Sequence, residues 1–336
     1  MKRMIYILAA TAALSCGSSR PATDRLYTNP VLNQDWPDPT VWEADGTYYT
    51  VATGVSTIFS SKDLVNWTDL KKAPLSPEAM EAARSMGRMF WAPDVVKIGD
   101  TYMLYLTCYN ADVDSRIVAF SSAAPDGPFE FVGKITDSRE TGIKDTIDPE
   151  VVVDPATGKT WLFFGSVGKG HRVRLLDDGT AVAPGAEYVH VSGIDINDDS
   201  SRSRVFEGAY LHFHKGYWYL FVSSGHYGDG SYSIKVGRSR TLEGEFLAKD
   251  GRRMTDGYAI VILSSPEGAR FAGPGHNGEI FTDRKGNDFM LYHCHDLESG
   301  SKRARYMFLQ QIFWDRQGWP YFKPGSPVHS GLKPQQ

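Results

Sequence analysis

Cysteine is scarce: three residues in 336, at positions 16, 108 and 294. So few exclude a disulfide framework as the source of stability. Cys108 and Cys294 each close an apolar, strand-like run (LYLTC and LYHC); they form one pair or, the reading preferred for a large domain, stay as two buried free thiols. A basic excess is also missing. The formal net charge is −4, which provides no field for nucleic acid or for an anionic membrane surface. No apolar run reaches the roughly 20 residues that a membrane-spanning helix needs. Long amphipathic helical periodicity is absent, residues 76–86 excepted, where Ser-Pro-Glu opens a run of Ala, Met and Glu. With 41% hydrophobic and 23% charged residues, the chain is nonetheless of ordinary globular composition, neither disordered nor a membrane bundle.

The N-terminus is a targeting segment. Lys2 and Arg3 form a positive start, and residues 5–14 a short apolar stretch. Leu14-Ser15-Cys16-Gly17 then resembles a bacterial lipoprotein cleavage box. That resemblance implies export, lipidation of Cys16 and anchoring to a bacterial membrane, periplasmic or at the cell surface, without spanning it. Residues 1–23 are assigned to signal and tether, and 24–336 to one domain.

What fills that domain is a template repeated five times. Asp38-Pro-Thr-Val-Trp precedes Ala44-Asp-Gly and Tyr48-Tyr-Thr-Val. Ala92-Pro-Asp-Val-Val precedes Gly99-Asp and Tyr102-Met-Leu-Tyr. Asp148-Pro-Glu-Val-Val precedes Ala156-Thr-Gly and Trp161-Leu-Phe-Phe. Glu207-Gly-Ala-Tyr-Leu precedes Lys215-Gly and Tyr217-Trp-Tyr-Leu-Phe. His276-Asn-Gly-Glu-Ile precedes Lys285-Gly-Asn and Phe289-Met-Leu-Tyr. Each unit reads as strand, tight turn and aromatic-rich strand, and the starts lie 54, 56, 59 and 69 residues apart. The fold class expected is all-β, a five-bladed β-propeller with radially packed four-stranded sheets. A β-sandwich is the alternative, but it leaves the fivefold repeat unexplained.

In a propeller the same repeat position recurs at the same depth around one axis. The leading position reads Asp38, Ala92, Asp148, Glu207 and His276, so three carboxylates converge. Packing them together costs energy unless one stays protonated or a cation intervenes, and stability alone does not account for such a cluster. It suits glycoside hydrolysis: one carboxylic acid protonates the leaving oxygen, one carboxylate activates water on the opposite face, and a third keeps the acid protonated. Asp94, two places past the leading position, is read as structural; Asp35 is close to Asp38 but off register. Trp36 and Trp67 are read as core.

Asp38-Pro-Thr, Phe90-Trp-Ala-Pro-Asp, Ile147-Asp-Pro-Glu, Glu207-Gly-Ala and Gly273-Pro-Gly-His-Asn, in that order, resemble glycoside hydrolase family 43 over nearly the whole mature chain. The resemblance implies inversion, with Asp38 as general base, Glu207 as general acid and Asp148 orienting Glu207 and raising its pKa. His276 has two readings. It bonds a neighbouring backbone, or it faces the channel, where the resemblance implies a metal ion, Ca2+ foremost, held partly through water. Aromatic faces bind sugar rings, so Trp91 is the first platform candidate, with a core Trp as the alternative; Phe120 and Tyr227 follow. Ser166 resembles a position that shapes the sugar pocket in arabinan-cleaving members.

Trp161-Leu-Phe-Phe-Gly-Ser and Tyr219-Leu-Phe-Val-Ser-Ser resemble the α-1,5-L-arabinanase branch. The residues before Asp38 depart from it: Asp35-Trp-Pro is similar instead to exo-acting arabinofuranosidases and β-xylosidases, where arabinanases often place a His. The expected substrate is a plant cell-wall polysaccharide, arabinan before arabinoxylan, cut internally before terminally. Residues 192–204 and 226–231 are candidates for closing one end of the groove. A non-catalytic glycan-binding propeller is the alternative of another class, although it has no need of three converging carboxylates. A monomer is expected.

Overall fold

The computed structural model describes residues 25–336, apart from 112–113, 167 and 196–203. The signal segment, and most of the 192–204 stretch, lie outside the described residues. Strand β1 (Leu26–Thr28) precedes the first blade. Blade I comprises β2 (Thr40–Ala44), β3 (Thr47–Val51), β4 (Phe59–Ser61) and β5 (Trp67–Asp69). Blade II follows helix α1 (Pro77–Met86) and comprises β6 (Met89–Ile98), β7 (Thr101–Asn110), β8 (Asp114–Ser122) and β9 (Glu130–Asp137). After the single turn α2 (Ser138–Thr141), blade III comprises β10 (Glu150–Val153), β11 (Thr160–Phe164), β12 (Gly170–Arg174) and β13 (Val189–Ser192). Blade IV comprises β14 (Glu207–His214), β15 (Tyr217–Ser224), β16 (Ser233–Ser239) and β17 (Ile260–Ser264). In blade V the inner edge is split into β18 (Phe271–Gly275) and β19 (Ile280–Thr282), both paired with β20 (Asp288–Asp296), beyond which lie β21 (Tyr306–Trp314) and β22 (Pro320–Tyr321). Each blade is an antiparallel meander, and the order is that of the sequence. The expected five-bladed propeller is therefore what the chain forms.

Local chemistry explains the hairpins. Asp45-Gly46 and Lys215-Gly216 both have positive φ at each residue (50° and 69°, 47° and 82°), the type I′ geometry whose twist matches paired strands. Helix α1 begins where expected because Ser76 caps it, accepting from the Ala79 N–H at 3.1 Å.

The core is divided among the interfaces. Five apolar clusters lie one between each pair of adjacent blades: Trp42 with Leu104 and Phe120, Tyr105 with Leu162, Phe163 with Leu220, Phe221 with Tyr292, and Leu291 with Val41. Trp36 belongs to the last, and Trp67 packs against its edge, as read from sequence. Cys108 and Cys294 are buried free thiols in blades II and V. Closure of the ring uses β23 (Ser330–Leu332), which pairs with β1. The Asn29 side chain also brackets Leu309 of β21, donating to its carbonyl and accepting from its N–H, both at 2.9 Å.

A ring of hydrogen bonds circles the axis. In each blade the inner strand offers a side-chain acceptor to a backbone N–H of the next blade. Val95 N–H bonds Thr40 (3.3 Å), Val151 bonds Asp94 (2.8 Å), Leu211 bonds Glu150 (2.9 Å), Ile280 bonds Tyr210 (2.9 Å) and Val41 bonds Glu279 (2.5 Å). Asp94 is structural, as expected. Burial pushes Asp94 up to about 7 and Glu279 up to about 8, and it raises Glu150 well above the carboxylate range, with Asp94 adding to the last two.

Candidate active site

The catalytic candidates lie just above this ring. Asp38, Ala92, Asp148 and His276 all have left-handed φ, between 39° and 56°. Four non-glycine residues in that region at one depth mark a strained layer around the channel. The repeat is not strict here. In blade IV the left-handed residue is Gly208, one past Glu207, and in blade V an extra residue separates His276 from Glu279. A side chain at Gly208 would crowd the His276 ring.

The N–H groups of this layer are held by the end of each preceding blade's second strand. Thr53 Oγ accepts from Ala92 (2.8 Å), Thr107 Oγ from Asp148 (3.1 Å), Ser223 Oγ from His276 (2.7 Å) and His293 Nδ1 from Asp38 (3.2 Å). At the corresponding place in blade III stands Gly165, which has no side chain to offer. There the Gly208 N–H donates to Asp148 Oδ2 instead, at 3.2 Å. One peptide thus ties Asp148 to the residue following Glu207.

A pocket of about 340 Å³ opens over these groups. It brings together Asp38, Asp148, Glu207, His276, Ser166, Trp91 and Tyr227 from the sequence reading. Phe120 is not among them. It is fully buried on β8, the third strand out from the axis, within the interface of blades I and II and edge-on to Phe131. The sequence assignment of Phe120 to substrate is therefore corrected: it is core. Trp91 is half-buried at the pocket and stacks on Tyr109, 4.2 Å between centroids at 23°.

Several residues of the site went unassigned in the sequence. Arg305 Nη1 lies 2.8 Å from Asp38 Oδ1, and Thr53 Oγ donates to Asp38 Oδ2 at 2.7 Å. His276 and His293 present Nδ1 at 3.4 and 3.3 Å from Asp38 Oδ1. Burial opposes ionisation of Asp38, but the Arg305 guanidinium, then His276, outweigh it and hold the carboxyl well below the ordinary range. Asp35, off register, accepts from the Arg305 N–H at 2.9 Å and so places that arginine. Glu207 accepts from Ser166 Oγ (2.5 Å) and from the Tyr232 phenol (2.6 Å). Asp148 is raised well above its usual value, first by burial, then by Glu207 and Asp38. Asp145, at the pocket wall, is also raised by burial and by Glu207.

A buried carboxyl held below its ordinary range, close to carboxyls raised above theirs, is the electrostatic pattern that acid–base hydrolysis uses. Residues 27–320 match the family model Glycosyl hydrolases family 43. The chain belongs to that family. It is a glycosidase. It is 27% identical to the extracellular exo-α-(1→5)-L-arabinofuranosidase of Cellvibrio japonicus, over 92% of this chain and 88% of that one. Identity to the extracellular endo-α-(1→5)-L-arabinanase 1 of Bacillus subtilis is 26%, covering 96% and 98%. The α-L-arabinanase of Cellvibrio cellulosa, solved with arabinohexaose, superposes with a TM-score of 0.72 at 28% identity, over 86% of this chain and 96% of that one.

In this family 43 chain, His276 offers calcium a single nitrogen. Among the described residues no group of three or more His, Cys, Asp or Glu side chains is arranged to hold a metal ion, so an ion at His276 would take most of its ligands from water.

Proposed function

We propose that this glycosidase hydrolyses α-1,5-linked L-arabinan with inversion, acting internally along the chain. The single observation behind it is the contrast between Asp38, whose carboxyl is held below the ordinary range with Arg305 at 2.8 Å, and Asp148, raised well above that range by burial and then by Glu207. In this reading Asp38 draws a proton from water as the water attacks the anomeric carbon, and the proton passes to the carboxylate. Glu207 gives its proton to the departing glycosidic oxygen. Asp148, tied to the next peptide, keeps that proton available and sets the angle of Glu207. Trp91 and Tyr227 line the sugar, and Ser166 and Tyr232 steady Glu207. A calcium ion held by His276 and completed by water would supply positive charge to the site. Relatives that act on arabinan support the substrate.

Exo action is the second reading, favoured by the resemblance of Asp35-Trp-Pro to exo-acting members; in the structure Asp35 accepts from the Arg305 backbone N–H. Relatives named as extracellular support export; anchoring through a lipid on Cys16, one domain over 24–336, and a monomeric state complete the proposal. The test is digestion of linear α-1,5-arabinan by the chain from residue 24, beside Glu207→Gln. A ladder of oligosaccharides, lost in the variant, is expected. Arabinose alone would turn the assignment to an exo enzyme, and no product from arabinan, arabinoxylan or xylo-oligosaccharides would overturn the substrate proposal.

A further inference from the structure

Two residues beyond His293 stands a histidine that the reaction above does not use. His295 is 3% exposed. Its Nδ1 lies 3.0 Å from the carbonyl oxygen of Ala304, and its Nε2 lies 2.9 Å from that of Tyr227. A carbonyl oxygen only accepts. Both ring nitrogens must therefore carry a proton for both bonds to form, and a neutral imidazole has one N–H where the imidazolium has two.

The two ends join different parts of the pocket. Tyr227 lines it from the 226–231 loop, with the Arg305 guanidinium 5.0 Å above its ring. Ala304 immediately precedes Arg305, which holds Asp38. Arg305 has further ties to Asp35 and Asp38. Hydrogen bonds also join His226, Gly228, Asp229 and Ser231 within the loop. Losing His295 removes one contact from the Tyr227 carbonyl and one from the carbonyl that precedes Arg305.

We propose that His295 is a positioning residue, a two-ended clasp that holds the Tyr227 wall of the sugar pocket to the Arg305 segment and makes both bonds only as the imidazolium. The groups facing it are accounted for from each neighbouring element. Asp229 comes from the loop. Glu267 and Lys302 lie across a cavity of about 240 Å³ that His295 also lines. Asp296 on its own strand is paired with Arg270 at 2.7 Å, and Arg305 and Tyr227 stand on the pocket side. The kinetic part of the test rests on the arabinan reading; the structural part does not.

Hydrogen–deuterium exchange of the 225–231 segment is the first measurement, comparing wild type with His295→Phe and His295→Gln at equal pH so that intrinsic exchange cancels. Gln keeps an amide with two N–H donors at any pH, and Phe has none. At pH 5.5 exchange in this segment is expected to rise tenfold or more in the Phe variant, with strands β15 and β20 unchanged and the Gln variant near wild type. As pH is raised to 8.5 the gap between wild type and the Phe variant should shrink, because a neutral imidazole has one N–H donor for the two carbonyls. On arabino-oligosaccharides the Phe variant should raise KM at least fivefold while kcat changes less than threefold. A folded Phe variant with unchanged loop exchange would overturn the clasp. So would a gap that is the same at both pH values. If the Phe variant fails to fold, a pH-dependent loop exchange in wild type that the Gln variant lacks supports the clasp, and equal pH dependence in the two refutes it. Should arabinan prove not to be a substrate, the exchange data still decide.

Discussion

The phenol of Tyr232 donates a 2.6 Å hydrogen bond to Glu207 Oε1. Its ring is fixed independently of that bond. It lies parallel to His293, 5.6 Å between centroids at 5°, and so close to Gly275 that a Cβ there would run into it. Burial, and then Glu207, raise the phenol well above its ordinary range, so it remains a donor. Tyr232→Phe should therefore remove one hydrogen bond to the proposed acid and little else. Glu207 becomes charged as its proton leaves, and a bond to a charged group is worth about 1.5–3 kcal/mol, so kcat on arabinan should fall roughly ten- to hundredfold with KM within threefold. A rise in KM at constant kcat would assign the phenol to substrate binding instead.

Arg305 is the largest of the charges that keep Asp38 ionised. Replacing it by Met leaves burial, which favours the neutral acid, less opposed. The Asp38 pKa should then rise by roughly one to three units. A base must be ionised to work, so the acid limb of kcat/KM should move to higher pH in Arg305→Met. A pH profile in which that limb stays put would remove either Arg305 or Asp38 from the proposed roles.

Trp91 offers its face to the pocket while Tyr109 backs it at 4.2 Å. Trp91→Ala should weaken binding of arabino-oligosaccharides by about 1–2 kcal/mol, which is roughly five- to thirtyfold in Kd when titrated into a Glu207→Gln background. Phe120→Leu, at a core position, should lower thermal stability and leave that Kd alone.

The acceptor ring makes stability depend on pH. Asp94 and Glu279 have folded pKa values of about 7 and about 8, above those of the unfolded chain, and Glu150 is raised too. Stability from these groups is complete below about pH 4 and is lost as pH rises through 7 and 8. The depressed Asp38 acts only at far lower pH, where its own contribution disappears. Melting temperature should thus fall by several degrees between pH 5 and pH 9. Asp94→Asn keeps the acceptor for the Val151 N–H without the charge, and its decline should be shallower when followed by scanning calorimetry.

The repeat was legible because an inner strand returns the same position to the same depth at every turn of the ring, so Asp38, Asp148 and Glu207 could be brought together from spacing and motif. The same logic read Asp94 as structural, and the scarcity of cysteine read Cys108 and Cys294 as free thiols. The repeat did not reach Thr53 or His293, whose shared place at the end of the second strand is filled by different residue types, nor Tyr232 and Arg305, which come from other segments of the chain, Arg305 being 267 residues from Asp38. Phe120 was misassigned because alternate residues of a strand face opposite ways, and which way depends on register. Its composition suits a sugar platform, but β8 lies too far from the axis and turns it into the interface with blade I. Sequence by itself determined the number of blades and the acids at their inner ends. Tertiary structure decided which charge each acid carries, because burial and the cations that offset it come from chain segments that meet only when the ring closes.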